Sequence, residues 1–344
     1  MKNILVFGAS GFIGTYLIDE LQAQGYDVTA SDIDESGREY YTSKNIKFIS
    51  IDITKRESFS QLSKEPYSAI IHLAACQPAN VSDKTYDPRE YINVNVIGTL
   101  NILEYCRESE TSKIIYVSSH RNTQGLWAAN TAIREDDGRK IKYTGEYAMF
   151  SISESAAQDC VLHYQAQHGL PGIIFRLPPV YGYGPHTEIF KNGKPIKTGF
   201  QVFIDRAQKC LPLEVWGDGS IGRDIIYVKD VVSAFIKAIE SPNASGLYNI
   251  TSGKYLTLRE QAETIADLFW GNDSAPKIVE RRDMKNDIES FLYDTSRAKR
   301  DLAWAPEYSF SDMLLDYMKE SENKRFEYLV NKRQAMLNRS KEMK

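Results

Sequence analysis

Gly8, Gly11 and Gly14 stand three residues apart, directly after the apolar run Ile4 to Phe7, and Asp32 ends a second stretch further on. Glycines so spaced bind phosphate through the backbone. Without a Cβ, their N–H groups can approach a pyrophosphate, and a following helix adds partial positive charge at its N-terminus. A carboxylate placed like Asp32 accepts both ribose hydroxyls of NAD and repels the extra phosphate of NADP. The pattern is Gly-x-x-Gly-x-x-Gly, one residue longer than the usual Gly-x-Gly-x-x-Gly, so strand, turn, helix and Asp32 carry the assignment jointly. Asp52, next to Ile53 and closing a third strand, is placed to reach the adenine edge.

The elements that must hold these groups alternate. Strands are expected at Ile4 to Phe7, Tyr26 to Ser31, Ile46 to Ile51, Ala69 to Ala75, Ile114 to Ser119 and Gly172 to Arg176. Helices lie between them, one starting at Asp87-Pro88-Arg89-Glu90 and running to about Glu108, another from about Tyr147 to His168. That alternation predicts an α/β fold, a doubly wound parallel Rossmann sheet with ligands across the carboxyl ends of its strands. His72, at a buried strand end, reads as a hydrogen-bonded structural group. Beyond Pro178 glycine and proline thicken, which marks loops at a ligand mouth and the start of a smaller, second lobe. Thr257-Leu258-Arg259-Glu260 is a capping box opening a helix to about Trp270. From about Ser309 the chain reads as helix, with a charged, solvated end at Glu320 to Lys344.

Composition sets the outer limits. At 344 residues with a formal charge of −4, the chain has length for two lobes and no basic field for nucleic acid. No apolar run approaches a membrane span, and no signal peptide is read before the first strand. Cys76, Cys106, Cys160 and Cys210 lack the spacing of a metal site or redox motif, so no metal is expected. Scattered thiols suit a reducing cytoplasm.

Taken in order, these motifs resemble the extended short-chain dehydrogenase/reductase family, the NAD-dependent nucleotide-sugar epimerases and dehydratases, over about Lys2 to Leu315. The likeness rests on Gly8-Ala9-Ser10-Gly11-Phe12-Ile13-Gly14, His72-Leu73-Ala74-Ala75, Asn95-Val96-Ile97-Gly98-Thr99 and Val117-Ser118-Ser119. It continues in Arg176-Leu177-Pro178-Pro179-Val180-Tyr181-Gly182, Gly217-Asp218-Gly219 with Arg223-Asp224, Tyr248-Asn249-Ile250 and Asp294-Thr295-Ser296-Arg297-Ala298. The resemblance implies that Ser10, Phe12, Ile13, Leu73, Ala74, Ala75, Asn95, Ser118 and Pro178 join the glycines, Asp32, Asp52 and Ile53 around NAD. It implies that Arg223 holds the diphosphate of a nucleotide sugar, with Tyr181, His186, Gln201 and Val215 lining that end. The NAD-binding domain would comprise residues 1–176 plus 224–253, the sugar lobe 177–223 plus 254–315, and the tail 316–344. A homodimer through the two long helices is the family's habit.

The implied activity is a UDP-glucose 4-epimerase-like reaction through a 4-keto intermediate. The family runs it with Tyr-x-x-x-Lys beside a Ser or Thr, the lysine depressing the tyrosine pKa. Ser119 matches the serine, but Phe150 and Glu154 fall where the pair should be. The other register puts Tyr147 in the tyrosine slot and Ser151 in the lysine slot. Tyr147, one turn before Phe150, and Glu154 are therefore the candidate replacements, the latter as a base or a ribose ligand. His120 and His186 offer another pair, as in the GDP-fucose synthase branch, for a 3,5-epimerase or reductase. A dehydratase is disfavoured, since Ser119-His120-Arg121 stands where that branch has Thr-Asp-Glu. A silent binder of NAD and nucleotide sugar is the remaining alternative.

Overall fold

The computed structural model describes residues 2–78, 86–128, 131–184, 188–191, 194–270, 277–286, 289–328 and 331. Seven strands form one sheet: β1 Asn3–Phe7, β2 Asp27–Asp32, β3 Lys47–Ser50, β4 Ala69–His72, β5 Ile114–Ser119, β6 Gly172–Leu177 and β7 Gly246–Asn249. Their spatial order is β7-β6-β5-β4-β1-β2-β3, all pairs parallel. The order reverses between β1 and β4. Crevices for dinucleotides open at such switch points.

Alternation along β1 explains the layers. Ile4 and Val6 point to one face and join a core with Leu17 and Leu21 of helix α1 (Phe12–Ala23). Leu5 and Phe7 point to the other face, packing with Ile102 and Leu103 of α2 (Gly98–Glu108) and Val161 of α3 (Ala148–His168). A strand buried on both faces must be apolar throughout, and each such side chain contributes about 1.5–3 kcal/mol of gross burial. α2 is reached through Pro88–Tyr91, capped by the Asp87 carboxylate, and a π-helical stretch, Ile92–Ile97.

The chain leaves the sheet after β6 and returns. Helix α5 (Val228–Glu240), introduced after α4 (Gly199–Ala207), buries Val228, Val231, Val232, Phe235, Ile236 and Ile239, a stripe of helical period. It packs against α1, and β7 then pairs with β6. The buried Asp224 carboxylate fixes the re-entry, accepting from the backbone N–H of Ser252, Gly253 and Tyr293. Burial raises it to about 6 in spite of these bonds.

The remainder forms the second lobe. Leu213–Trp216 pairs with Ile278–Arg281, and Gly222–Arg223 with Leu256–Thr257. Helix α6 (Leu258–Trp270) starts at the expected capping box, with reciprocal Thr257–Glu260 bonds. The tail departs from expectation through residue 328. α7 (Phe310–Glu322) buries Met313, Leu314 and Tyr317, and the fully buried Phe326 ring sits against Phe12, Tyr16 and Tyr183. Apolar residues spaced among charges hid this anchoring. No helix among the described residues is long and apolar enough to cross a membrane.

Candidate functional site

The carboxyl ends of the central strands open on one cleft of about 1220 Å³, running from Gly8 and Asp32 to Arg223 and Trp216. At its first end the glycines answer to geometry. Gly8 has φ +82°, and a Cβ on it would lie 2.7 Å from the Ala74 nitrogen. A Cβ on Gly14 would lie 2.4 Å from the Gly8 carbonyl oxygen. The Asp32 carboxylate lines the cleft and is held in place by the N–H groups of Ser10 (2.8 Å) and Asp34 (2.9 Å). A cradle that admits no side chain, beside an oriented carboxylate, fits the diphosphate and ribose of NAD.

Gly11, Phe12, Ile13, Asp52, Ile53, Leu73, Ala74, Ala75, Ser118 and Pro178 also line the cleft. Ser10 and Asn95 do not. Ser10 is buried, its Oγ donating to the Asp34 carbonyl, so it serves by holding Asp32. Asn95, also buried, is consumed by the Cys76 backbone and the Ser153 hydroxyl. His72 is the structural group expected: its Nε2 meets the Thr99 hydroxyl at 2.9 Å, and burial lowers it to about 3.

At the sugar end, Arg223 lies on the two-residue strand that pairs with Leu256 and Thr257; a Cβ on Gly222 would lie 2.6 Å from the Leu256 carbonyl oxygen. Its Nη2 donates to the Tyr181 hydroxyl at 3.1 Å, and its buried Nε has no partner among the described residues. Tyr181 and Gln201 line the cleft as expected. The Val215 side chain does not: strand alternation turns it into the core and presents Glu214 and Trp216 instead. His186 lies outside the described residues.

Between the two ends lies the wall where proton transfer would occur. Ser119 caps the turn after β5, its Oγ accepting the Arg121 N–H at 3.2 Å. Tyr147 caps α3, and Phe150 and Glu154 follow one and two turns along it; all four side chains line the cleft. Phe150 is buried and carries no transferable proton. Glu154 is buried too, accepts the Tyr116 hydroxyl at 2.8 Å, and is pushed up to about 8 by burial, against the pull of that bond. At neutral pH it is a neutral acid, which displaces the expectation that it serves there as a base.

His120 is held as a neutral imidazole. Its ring stacks on Trp127, its Nδ1 faces the Leu177 carbonyl at 3.1 Å, and burial with the cations of Arg121 and Arg223 holds it well below the usual range. Arg121 itself went unread. Its guanidinium carbon lies 3.8 Å from the Tyr147 ring centroid and 5.2 Å from that of Trp127. The only signal was a cation in the place of a carboxylate in Ser119-His120-Arg121.

The sequence model described as NAD dependent epimerase/dehydratase family matches residues 4–251. Among curated relatives, a UDP-glucuronate 4-epimerase of Thermodesulfobacterium geofontis is 28% identical over 328 residues, 91% of this chain and 94% of that one. Among solved structures, UDP-glucose 4-epimerase of Thermotoga maritima with UDP-glucose superposes with TM-score 0.74 at 26% identity, covering 93% of this chain and 100% of the other. The Thermus thermophilus UDP-glucose 4-epimerase complex with NAD gives TM-score 0.72 at 25% identity, covering 92% and 99%.

Proposed function

Since this chain belongs to the NAD dependent epimerase/dehydratase family, we propose that it is a UDP-sugar 4-epimerase working through a 4-keto intermediate with Tyr147 as its proton-handling group. The observation that carries this is the Tyr147 phenol on the cleft wall with Ser119, a guanidinium against its ring. NAD, the cofactor, supplies the acceptor and then the donor of the C4 hydride. Tyr147 takes the C4 hydroxyl proton and returns it, and Ser119 steadies the same oxygen through its hydroxyl. Arg223, with an unspent Nε, takes the diphosphate. Glu154, neutral and tied to Tyr116, offers a hydrogen bond to the nicotinamide ribose in place of a lysine cation. The lobes divide into 1–176 plus 224–253 for NAD and 177–223 plus 254–315 for the sugar. Pairing through α2 and α3 gives a homodimer; Leu162 of α3 and Ile97, just before α2, are exposed.

The test is to incubate the purified protein with UDP-glucose and UDP-glucuronate, following sugar interconversion and absorbance of reduced nicotinamide. A changed sugar with a transient reduced-nicotinamide signal is expected. Tight NAD with no change in either sugar would overturn the enzyme reading. That result would favour the silent binder, which Phe150 and the neutral Glu154 already support as a second reading. The His120 and His186 pair ranks behind both, because burial beside the Arg121 and Arg223 cations disfavours the imidazolium form of His120.

A further inference from the structure

The cleft holds more positive charge than one diphosphate requires. Arg121 is largely withdrawn from water, yet among the described residues its guanidinium has no ion pair and no hydrogen-bond acceptor. It rests on two aromatic rings, Tyr147 and Trp127, and faces the cleft from the wall that carries Ser119. The carboxylate that acts on it, Glu289, already bonds Gln124 and Lys142. Arg223 acts on it as a like charge, and burial with that charge pushes Arg121 below its ordinary range. A guanidinium in such a place costs stability unless an anion completes it. Held over two rings, it keeps its fork of N–H donors for a planar, bidentate acceptor.

We propose that Arg121 is a specificity residue that binds a carboxylate carried by the sugar, so that the preferred ligand is a nucleotide-linked hexuronic acid. Resting on the nucleotide-sugar reading above, the proposal separates two anionic subsites. Arg223 with Tyr181 takes the diphosphate, and Arg121 takes the sugar carboxylate. A planar carboxylate matches the stacked fork, whereas a neutral hydroxymethyl group would leave the cation uncompensated.

Titration calorimetry of the NAD-loaded protein with UDP-glucuronate and UDP-glucose tests this without needing turnover. UDP-glucuronate should bind at least about tenfold more tightly, as a charged hydrogen-bonded pair implies. Arg121→Gln should erase that preference while leaving UDP-glucose affinity within about twofold, which also shows the variant is folded; Arg121→Lys should keep part of it. Equal affinities in the unaltered protein, no binding of either sugar, or an Arg121→Gln loss shared equally by both ligands would each overturn the proposal. Preferential binding without epimerisation would sink the enzyme reading and leave this one standing.

Discussion

The NAD end and the sugar end of the cleft obey different rules. At the first, the backbone sets the terms: Gly8 and Gly14 sit where a Cβ meets main chain at 2.7 and 2.4 Å, and Asp32 is aimed by two N–H groups. At the second, and on the wall between the two, side chains decide. Phe150 and Glu154 line the cleft wall, where the resemblance leads one to expect a Tyr and a Lys. Arg121 brings a cation to the same wall from a different element, the turn after β5. Backbone cradles tolerate almost no substitution, because main-chain atoms cannot move aside. A constellation of side chains can be rebuilt from another direction while the sheet beneath it stays the same.

The sharpest way to break this contrast is at Tyr147. Tyr147→Phe should lower turnover by about 10²- to 10⁴-fold with NAD still bound, the usual worth of a positioned acid/base group; steady-state rates with acid release of nucleotide decide it. Unchanged turnover would remove Tyr147 from the mechanism and leave the sugar end without a proton carrier.

Glu154 comes next. Burial raises its carboxyl from 4.5 to about 8 in the folded state. Below pH 4.5 both states are protonated and its contribution to stability is fully present. Between pH 4.5 and about 8 the unfolded chain ionises first, so stability falls as pH rises. Glu154→Gln should flatten that fall, which amounts to on the order of 4 kcal/mol across the window. Denaturant melts at pH 5, 6.5 and 8 measure it, and parallel curves for the two proteins would show that Glu154 is ionised in the native state.

Smaller effects belong to the NAD end. Gly8→Ala, at φ +82° with main chain in contact, should cost about 1–3 kcal/mol of stability and release bound NAD; thermal melts and nucleotide content report it. Asp32→Ser should leave the fold intact and relax the preference for NAD over NADP by roughly tenfold. An unaltered preference would move cofactor selection away from the end of β2.

Much of this could be read before any coordinates. Strand and helix periods gave the sheet, and the Gly-Asp-Gly turn with Arg223-Asp224 pointed to the return of the chain to its first lobe. The misses share a cause. Asn95, Ser10 and Val215 stand in the right motifs, but local partners or strand alternation turn them away from the cleft. The tail carries Phe326 and Tyr328 among charges, and only docking on α1 gives those rings a purpose.

By itself, the sequence determined the Rossmann sheet and the NAD cradle, because each rests on local periodicity or on a glycine with no substitute. The tertiary structure alone decided the electrical state of the sugar end. Burial pushes the Glu154 carboxyl up against the pull of its Tyr116 bond, and Arg121 meets Tyr147 where the turn after β5 passes the start of α3. Burial and proximity across the chain set a proton's affinity, and neither is written in the order of residues.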